Sequence, residues 1–184
     1  FTVTGVTNTY LCAGRYVYRL DGSTLWTMVL DLGAGVTARD AIVHGALIAV
    51  AYSTGFQRSS TGASAGWTDD TNDAVRFGVL GQNVWRSASP NTLFSATAIN
   101  GTWSNSHTVA DTQYRINSLV GLEQVLLIGK EDGVYSIDSA GVVVPFSPEL
   151  RPQANANFAS VRASDSFNGD YYFRTLNGLV QISA

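Results

Sequence analysis

Charged side chains are scarce in this sequence. Only 14% of the 184 residues are Asp, Glu, Lys or Arg, against roughly a quarter in ordinary globular proteins. Uncharged polar residues and glycine must therefore cover the surface, which favours an extracellular or assembled protein over a cytosolic enzyme. The eleven basic residues are scattered singly and the net charge is −3. Since no basic patch is present to neutralise phosphates, we do not expect nucleic acid to be a partner.

Cysteine, histidine and long apolar runs are scarce as well. The single cysteine, Cys12, excludes an intrachain disulfide and any cysteine-rich metal site, and its apolar neighbours predict a buried thiol. His44 and His107 lie far apart in the sequence without a paired ligand, so a zinc site is not expected. No run reaches the ~18 apolar residues of a membrane helix, and we expect no membrane insertion.

Short runs of alternating apolar and polar residues dominate the chain. They are bounded by Gly, Asn, Asp and Ser at a spacing of ~8–12 residues, which is typical of sandwiches, barrels and propellers. An apolar strand, a glycine turn and a short strand with a large central residue recur in five units, 5–33, 39–70, 73–101, 115–147 and 157–184. Tyr18, Trp85 and Tyr135 are the equivalent central residues of the first, third and fourth units. Their mean period of ~40 residues matches one four-stranded propeller blade. The sequence therefore predicts an all-β, β-propeller-like array of about five four-stranded blades or blade fragments, in one domain over 1–184.

An acidic stretch in the fourth unit, IGKEDGVYSIDSAG at 128–141, indicates either metal ligands or hairpin turns. Alignment with the other units favours turns. The first turn is predicted at Glu131, Asp132 and Gly133, where the Asp-Gly pair would supply a positive φ. The second turn is predicted at Asp138 to Gly141. One short strand separates the two turns, so their acids lie at opposite ends of the sheet and cannot share a metal.

The last strands of the fourth and fifth units give two further expectations. Pro145 predicts that its strand lies at a sheet edge, where no ladder donor is needed. The fifth unit supplies only three strands. Either the N-terminal FTVTG completes that sheet, or the remainder belongs to a longer chain of which this sequence is a part.

Two segments carry a resemblance to a known group of proteins. INSLVGLEQVLLIGKEDGVYSID (116–138) and VLGQNVWRS (79–87) resemble strand–turn–strand units in β-propeller proteins of tailed-phage virions, found in tails or at other particle surfaces. This resemblance implies a scaffold or binding role, and it implies no set of catalytic residues. A weaker one is to the Asp-box hairpin of sialidase-like propellers, of which SASPNTLF (87–94) keeps Ser87. Asp boxes stabilise turns, so this second likeness supports a fold and not an activity.

The densest group of oxygen ligands is WTDDTND, which holds Asp69, Asp70 and Asp73. Calcium takes roughly six to eight oxygens, and short acidic loops can supply them. The spacing departs from that of an EF-hand, so we prefer an acidic surface turn between the second and third blades. Calcium binding by these three residues is the alternative.

Aromatic residues in loop-like sequence are the other candidates for a site. Trp67 lies in the Gly- and Ser-rich segment 59–68, and Trp103 lies in NGTWSNS beside Asn105. Such rings can stack on a sugar or anchor a protein contact; the alternative is that each folds back to fill a gap. A second group of aromatic residues occupies strand positions and is predicted to lie in the core: Tyr18, Trp26, Trp85, Tyr135 and Tyr172.

We therefore expect a non-enzymatic structural or adhesive component of a phage or other particle surface, extracellular or on the virion. Loops 59–73 and 100–112 would contact its partners, which we expect to be other structural subunits, in a homo-oligomer, and a surface glycan. Two alternatives stay open. A sialidase- or glycosidase-like hydrolase would need two carboxylates ~5–10 Å apart, for which Glu123, Asp111 and Asp165 are the candidates. A soluble carbohydrate-binding lectin is the other.

Overall fold

The computed structural model describes residues 2–4, 8–52, 55–151, 164–167, 170–175 and 178–182. All regular secondary structure in these ranges is β-strand, arranged in five antiparallel sheets that follow one another along the chain. Each of the first four sheets has four strands in sequence order, and the fifth has three. Within the described ranges there is no helix of the length and hydropathy that a membrane crossing requires.

The strands are numbered in chain order. Sheet 1 contains β1 (Thr2–Thr4), β2 (Thr9–Ala13), β3 (Tyr16–Asp21) and β4 (Leu25–Asp31). Sheet 2 contains β5 (Asp40–His44), β6 (Leu47–Tyr52), β7 (Gly55–Ser59) and β8 (Trp67–Asp70). Sheet 3 contains β9 (Arg76–Leu80), β10 (Asn83–Ala88), β11 (Thr92–Ala96) and β12 (Asn105–Thr108). Sheet 4 contains β13 (Ile116–Gly121), β14 (Val125–Lys130), β15 (Gly133–Asp138) and β16 (Val143–Ser147). Sheet 5 contains β17 (Ser164–Phe167), β18 (Asp170–Thr175) and β19 (Gly178–Ile182).

Tight turns join the strands because glycine can adopt the left-handed conformation that two-residue hairpins require. Gly45 between β5 and β6 and Gly81 between β9 and β10 hold the same turn position in consecutive sheets, both with φ of 59°. Successive side chains along each strand point to opposite faces of its sheet. Central strands such as β6 (LIAVAY) are apolar and buried along most of their length, as expected where both faces are covered.

The sheets stack face to face, and an apolar cluster fills each gap between neighbours. Between sheets 3 and 4, for example, Leu80, Leu93, Leu119 and Ile128 are all buried. The first strands of successive sheets lie beside one another. They form the inner side of the stack, and the fourth strands form its outer edge. This blade-like arrangement confirms the predicted fold class.

The fourth unit folds as predicted, with one correction. Its four strands match β13 to β16, and β16 is an edge strand that carries Pro145. The acidic stretch forms turns at the two ends of β15. Gly133, however, is the first residue of β15, where it pairs with Lys130, and its φ is not positive. Its lack of a side chain instead makes room for Pro148, whose Cα would lie 3.1 Å from a Cβ.

The alignment of the third unit is wrong by one strand. The repeat pattern makes Trp85 equivalent to Tyr18 and Tyr135, which lie in the third strands of their sheets, but Trp85 lies in β10, a second strand. The polar strand β12, Asn105–Thr108, also extends sheet 3 beyond the predicted limit at 101. Both differences arise because successive hairpin strands have similar alternation, and sequence pattern alone does not set their order.

The question of what completes the fifth sheet is partly answered. The N-terminal strand β1 pairs with β2 in sheet 1, so in the described residues it does not complete sheet 5. Cys12 is buried between sheets 1 and 2 and is not in a disulfide, which confirms the predicted buried thiol.

Candidate contact surfaces

Buried polar residues at the start of the inner strands join sheets 2, 3 and 4. The Arg76 guanidinium donates from Nε to the carbonyl of Asn117 at 2.7 Å and from Nη1 to the carbonyl of Arg39 at 2.7 Å. The Asp40 carboxylate accepts from the backbone N–H of Ala41 and of Phe77, each at 2.8 Å. Arg76 and Asp40 are almost completely buried. These contacts hold the inner strands of the three sheets together, so the two charged side chains have a structural role.

Lys130, the single lysine, joins sheets 3 and 4 in a similar way. Its ammonium is buried and donates to the carbonyls of Val109 and Asp111, both at 2.8 Å, in the connection between β12 and β13. Desolvation lowers the pKa of Lys130, and the nearby charges of Asp132 and Asp111 partly oppose this. Sequence analysis did not identify this tether, since its acceptors are backbone groups.

The structure does not bring Asp69, Asp70 and Asp73 together. The Asp69 carboxylate accepts from the Tyr52 hydroxyl, and the Asp70 carboxylate accepts from the Asn72 side chain at 2.6 Å. The Asp73 carboxylate accepts from the backbone N–H of Ser89 at 2.9 Å. No group of three or more His, Cys, Asp or Glu able to hold a metal occurs in the part of the chain that the structure describes. Calcium binding by these residues stays a prediction without geometric support.

Trp103 lies against the core, not free in a loop. It packs on the apolar cluster between sheets 2 and 3, with its ring centroid 6.2 Å from that of Phe56 in an edge-on arrangement. The Arg86 guanidinium lies 5.2 Å from the Trp103 ring and 4.2 Å from the Phe94 ring, and its desolvation lowers the pKa of Arg86. Of the two interpretations of Trp103, the geometry favours the ring that fills a gap.

Asn105 begins β12, where it is exposed and pairs with Ser95. Its role in ligand contact is untested and stays a prediction. Because Trp67 packs between sheets 1 and 2 and Trp103 packs between sheets 2 and 3, the predicted contact residues do not form one site.

Trp67 is the first residue of β8 and not part of a loop, which corrects its predicted context. Its ring packs partly on the cluster between sheets 1 and 2, and it lines an open groove of about 370 Å³. Met28, Leu30 and Asp31 of β4 form one side of this groove, and Ser64 and Gly66 form the other. The indole Nε1 is buried and has no acceptor among the described residues. The groove therefore offers a mainly apolar surface with a partly exposed aromatic ring, while the buried Nε1 is not accessible from it.

Two of the carboxylates considered for a hydrolase, Asp111 and Glu123, lie at opposite ends of β13. Asp111 precedes β13 and Glu123 follows it, so the length of a six-residue strand, about 20 Å at ~3.3 Å per residue, separates them. This exceeds the spacing that either glycosidase mechanism needs. The side chain of Asp165 lies outside the described residues. The Asp111–Glu123 pair is therefore rejected.

Strand β4 has an apolar surface that sequence analysis missed. Leu25, Trp26 and Met28 are 63%, 39% and 50% exposed, whereas the sequence predicts Trp26 to lie in the core. The sequence places large apolar residues of β3 and β4 on both faces of their sheet, but this pattern does not show which face lacks a neighbour. On the other outer strands, β16 exposes Val144 and Phe146, while β12 is polar and β8 is polar after Trp67.

Two partly buried phenols should make the fold sensitive to alkali. Tyr135 donates to Asp132 at 3.0 Å and Tyr52 donates to Asp69. Desolvation, followed by these hydrogen bonds, raises the pKa of each phenol to about 12. Between the ordinary value of about 10 and about 12, the unfolded state loses these protons before the folded state does. We therefore expect the free energy of unfolding to fall as pH rises through this window.

Denaturant titrations at several pH values from 9 to about 12 would measure this slope. The double variant Tyr52→Phe/Tyr135→Phe should have a flatter slope than the wild type. Equal slopes for the two proteins would contradict the assignment.

Comparison with known proteins found no match to a family model or to a curated protein, but it found similar solved structures. BamB from Moraxella catarrhalis superposes with a TM-score of 0.64 at 15% identity, over 98% of this chain and 55% of that one. Virginiamycin B lyase from Staphylococcus aureus superposes with a TM-score of 0.68 at 9% identity, over 99% of this chain and 68% of that one. BBS1N in complex with ARL6DN superposes with a TM-score of 0.64 at 15% identity, over 98% of this chain and 62% of that one.

The fold is that of a β-propeller. At these identities the likeness shows the fold alone, because one propeller can carry unrelated functions. The chain spans 55% of the length of BamB and 68% of the length of the lyase. What this propeller does must therefore be argued from its own surfaces.

Proposed function

We propose that this propeller is a non-enzymatic structural or adhesive component of a phage or other particle surface. The observation that carries the proposal is the open groove of Trp67, beside which β4 exposes its apolar side chains. The stacked sheets provide a rigid support for this surface. Large rings next to exposed apolar groups are typical anchors of protein contacts.

The chemistry of the groove indicates what it binds. Leu30 provides apolar contact, and Trp67 provides a partly exposed ring. A peptide segment with an apolar side chain packed on this ring would match the groove. The partners of this propeller are therefore proposed to be other structural subunits of the same assembly, in an extracellular or virion setting.

A lectin is the second candidate, and it rests on the same groove. A tryptophan ring beside Asp31 and Ser64 can stack on a sugar while the polar groups bind its hydroxyls. A surface glycan would then replace the protein partner.

Particles purified from the source by density gradient, and probed with antibody against this chain, test the proposal. We expect the chain to sediment with intact particles and to be visible on their surface by immunogold labelling. Antigen found only in the soluble fraction would overturn the proposal.

Substitution of Trp67 separates the two candidates. Trp67→Ala should reduce incorporation into particles by about 30-fold or more, since anchor residues contribute ~2 kcal/mol or more. The matched control Phe146→Ala, a large apolar residue on an outer strand remote from the groove, should incorporate normally. Normal incorporation of Trp67→Ala, together with loss of wild-type binding on a glycan array, would favour the lectin. Circular dichroism of each variant confirms that it folds.

A further inference from the structure

Sheet 1 has one face that packs on sheet 2 and one that the described residues leave uncovered. Tyr10, Cys12 and Val17 belong to the cluster with sheet 2. Since side chains alternate along a strand, Tyr18 and Leu20 of β3 lie on the opposite face. Trp26 and Met28 lie directly across from Leu20 and Tyr18, and so share that face.

We name this surface the far face of sheet 1, formed by Tyr16, Tyr18, Leu20, Trp26 and Met28. None of these residues belongs to any of the four apolar clusters of the described chain. Strands that are apolar on both faces are typical of sheets covered on both sides. The far face therefore requires a partner surface.

The outer face of sheet 5, at the other end of the stack, differs in chemistry. Tyr171 and Phe173 pack toward sheet 4, so Asp170, Tyr172 and Arg174 lie on its outer face by alternation. The Asp170 carboxylate accepts a hydrogen bond from the Gln181 side chain at 2.6 Å. Stacking sheet 1 of one molecule on sheet 5 of the next would bury these polar groups against an apolar surface, which is unfavourable.

Charge does not oppose contact between two far faces. Asp31 lies across from Tyr16 of the far face, and its carboxylate forms an ion pair with the Arg15 side chain at 3.1 Å. Arg19 and Asp21, which form an ion pair at 2.7 Å, alternate to the face that packs toward sheet 2. A second copy would meet an apolar surface without repulsion.

We infer that the far face of sheet 1 binds the same face of a second copy of this chain, in a dimer with two-fold symmetry. Such a contact continues the face-to-face stacking that already joins sheets 1 to 5, and places two self-complementary apolar surfaces together. Trp26 and Met28 are its most exposed side chains. The inference rests on the proposed function in that it names one partner, a further subunit of the assembly.

The oligomeric state in solution tests this inference. Sedimentation equilibrium and light scattering on the whole chain should show a dimer. Met28→Asp and Trp26→Asp, at half-exposed positions where the monomer tolerates a polar residue, should raise the dissociation constant about 100-fold or more. The matched control is Leu179→Asp, which changes an exposed leucine, 72% accessible, on sheet 5. It should remain dimeric.

Three outcomes would overturn the inference: a monomer at every concentration, a dimer that Leu179→Asp disrupts, or a dimer that both sheet 1 variants leave intact. A disulfide between two copies of Met28→Cys would support the two-fold contact directly. The inference and the proposed function can fail separately. A monomer that sediments with particles refutes only the dimer, whereas a dimer absent from particles refutes only the proposed function.

Discussion

Replacement of Arg76 by methionine is expected to lower the free energy of unfolding by about 3–5 kcal/mol. The guanidinium donates hydrogen bonds to the backbone carbonyls of Asn117 in sheet 4 and of Arg39 just before sheet 2. It also donates to the carbonyl of Val75, next to its own strand, at 3.1 Å. Methionine preserves most of the volume but offers no donor. Each buried carbonyl left without a partner costs about 1–3 kcal/mol, which explains the size of the effect.

Denaturant unfolding followed by circular dichroism would measure this loss. Arg115→Met makes the same chemical change at an exposed position, where a shift within about 0.5 kcal/mol is expected. If both variants lost the same stability, Arg76 would not be a tether between sheets. Arg76→Lys should recover part of the loss, because one ammonium can donate to some of the same carbonyls.

Substitution of Gly121 by alanine is expected to cost about 2–3 kcal/mol. A Cβ at this position would lie 2.0 Å from the carbonyl oxygen of Val79 in the adjacent inner strand. The neighbour is a backbone atom and cannot rotate away, so β13 would have to separate from β9. The close approach of two inner strands therefore requires glycine there.

Gly14→Ala is the control for this second substitution. Gly14 has a φ of 61°, and no atom lies within 4 Å of the position that an added Cβ would occupy. Alanine there therefore adds only backbone strain of about 1–2 kcal/mol. Thermal unfolding of both variants would separate steric from conformational cost. A smaller loss at Gly121 than at Gly14 would show that the inner strands move apart easily.

Alternation and turn residues were sufficient to predict the strands and the class of fold. The fourth unit shows this best, because its four strands are separated by turns with distinct glycine and acidic signals. The third unit shows the limit. Its strands RFGVL and NVWRSA both resemble a second strand, and only pairing with neighbouring sheets determines which lies inside.

The candidate sites were harder to predict, for physical reasons that particular residues illustrate. The loop aromatic Trp103 has no strand pattern of its own, and its position depends on Phe56 in a different sheet. Arg76 and Lys130 are charged and would ordinarily be assigned to the surface. Their burial depends on backbone carbonyls of other segments, which no local pattern reveals. The exposure of Trp26 was missed because an apolar strand gives no indication of which face lacks a neighbour.

The burial of Lys130 has a practical consequence for chemical labelling. Since this ammonium is the only lysine side chain and is completely buried, amine-reactive reagents have no accessible lysine on the folded protein. A chain-terminal amine can react in the folded state. Acylation at Lys130, in contrast, requires the contact between sheets 3 and 4 to open. The rate of acylation at Lys130, followed by mass spectrometry, would thus report directly on how often these two blades separate.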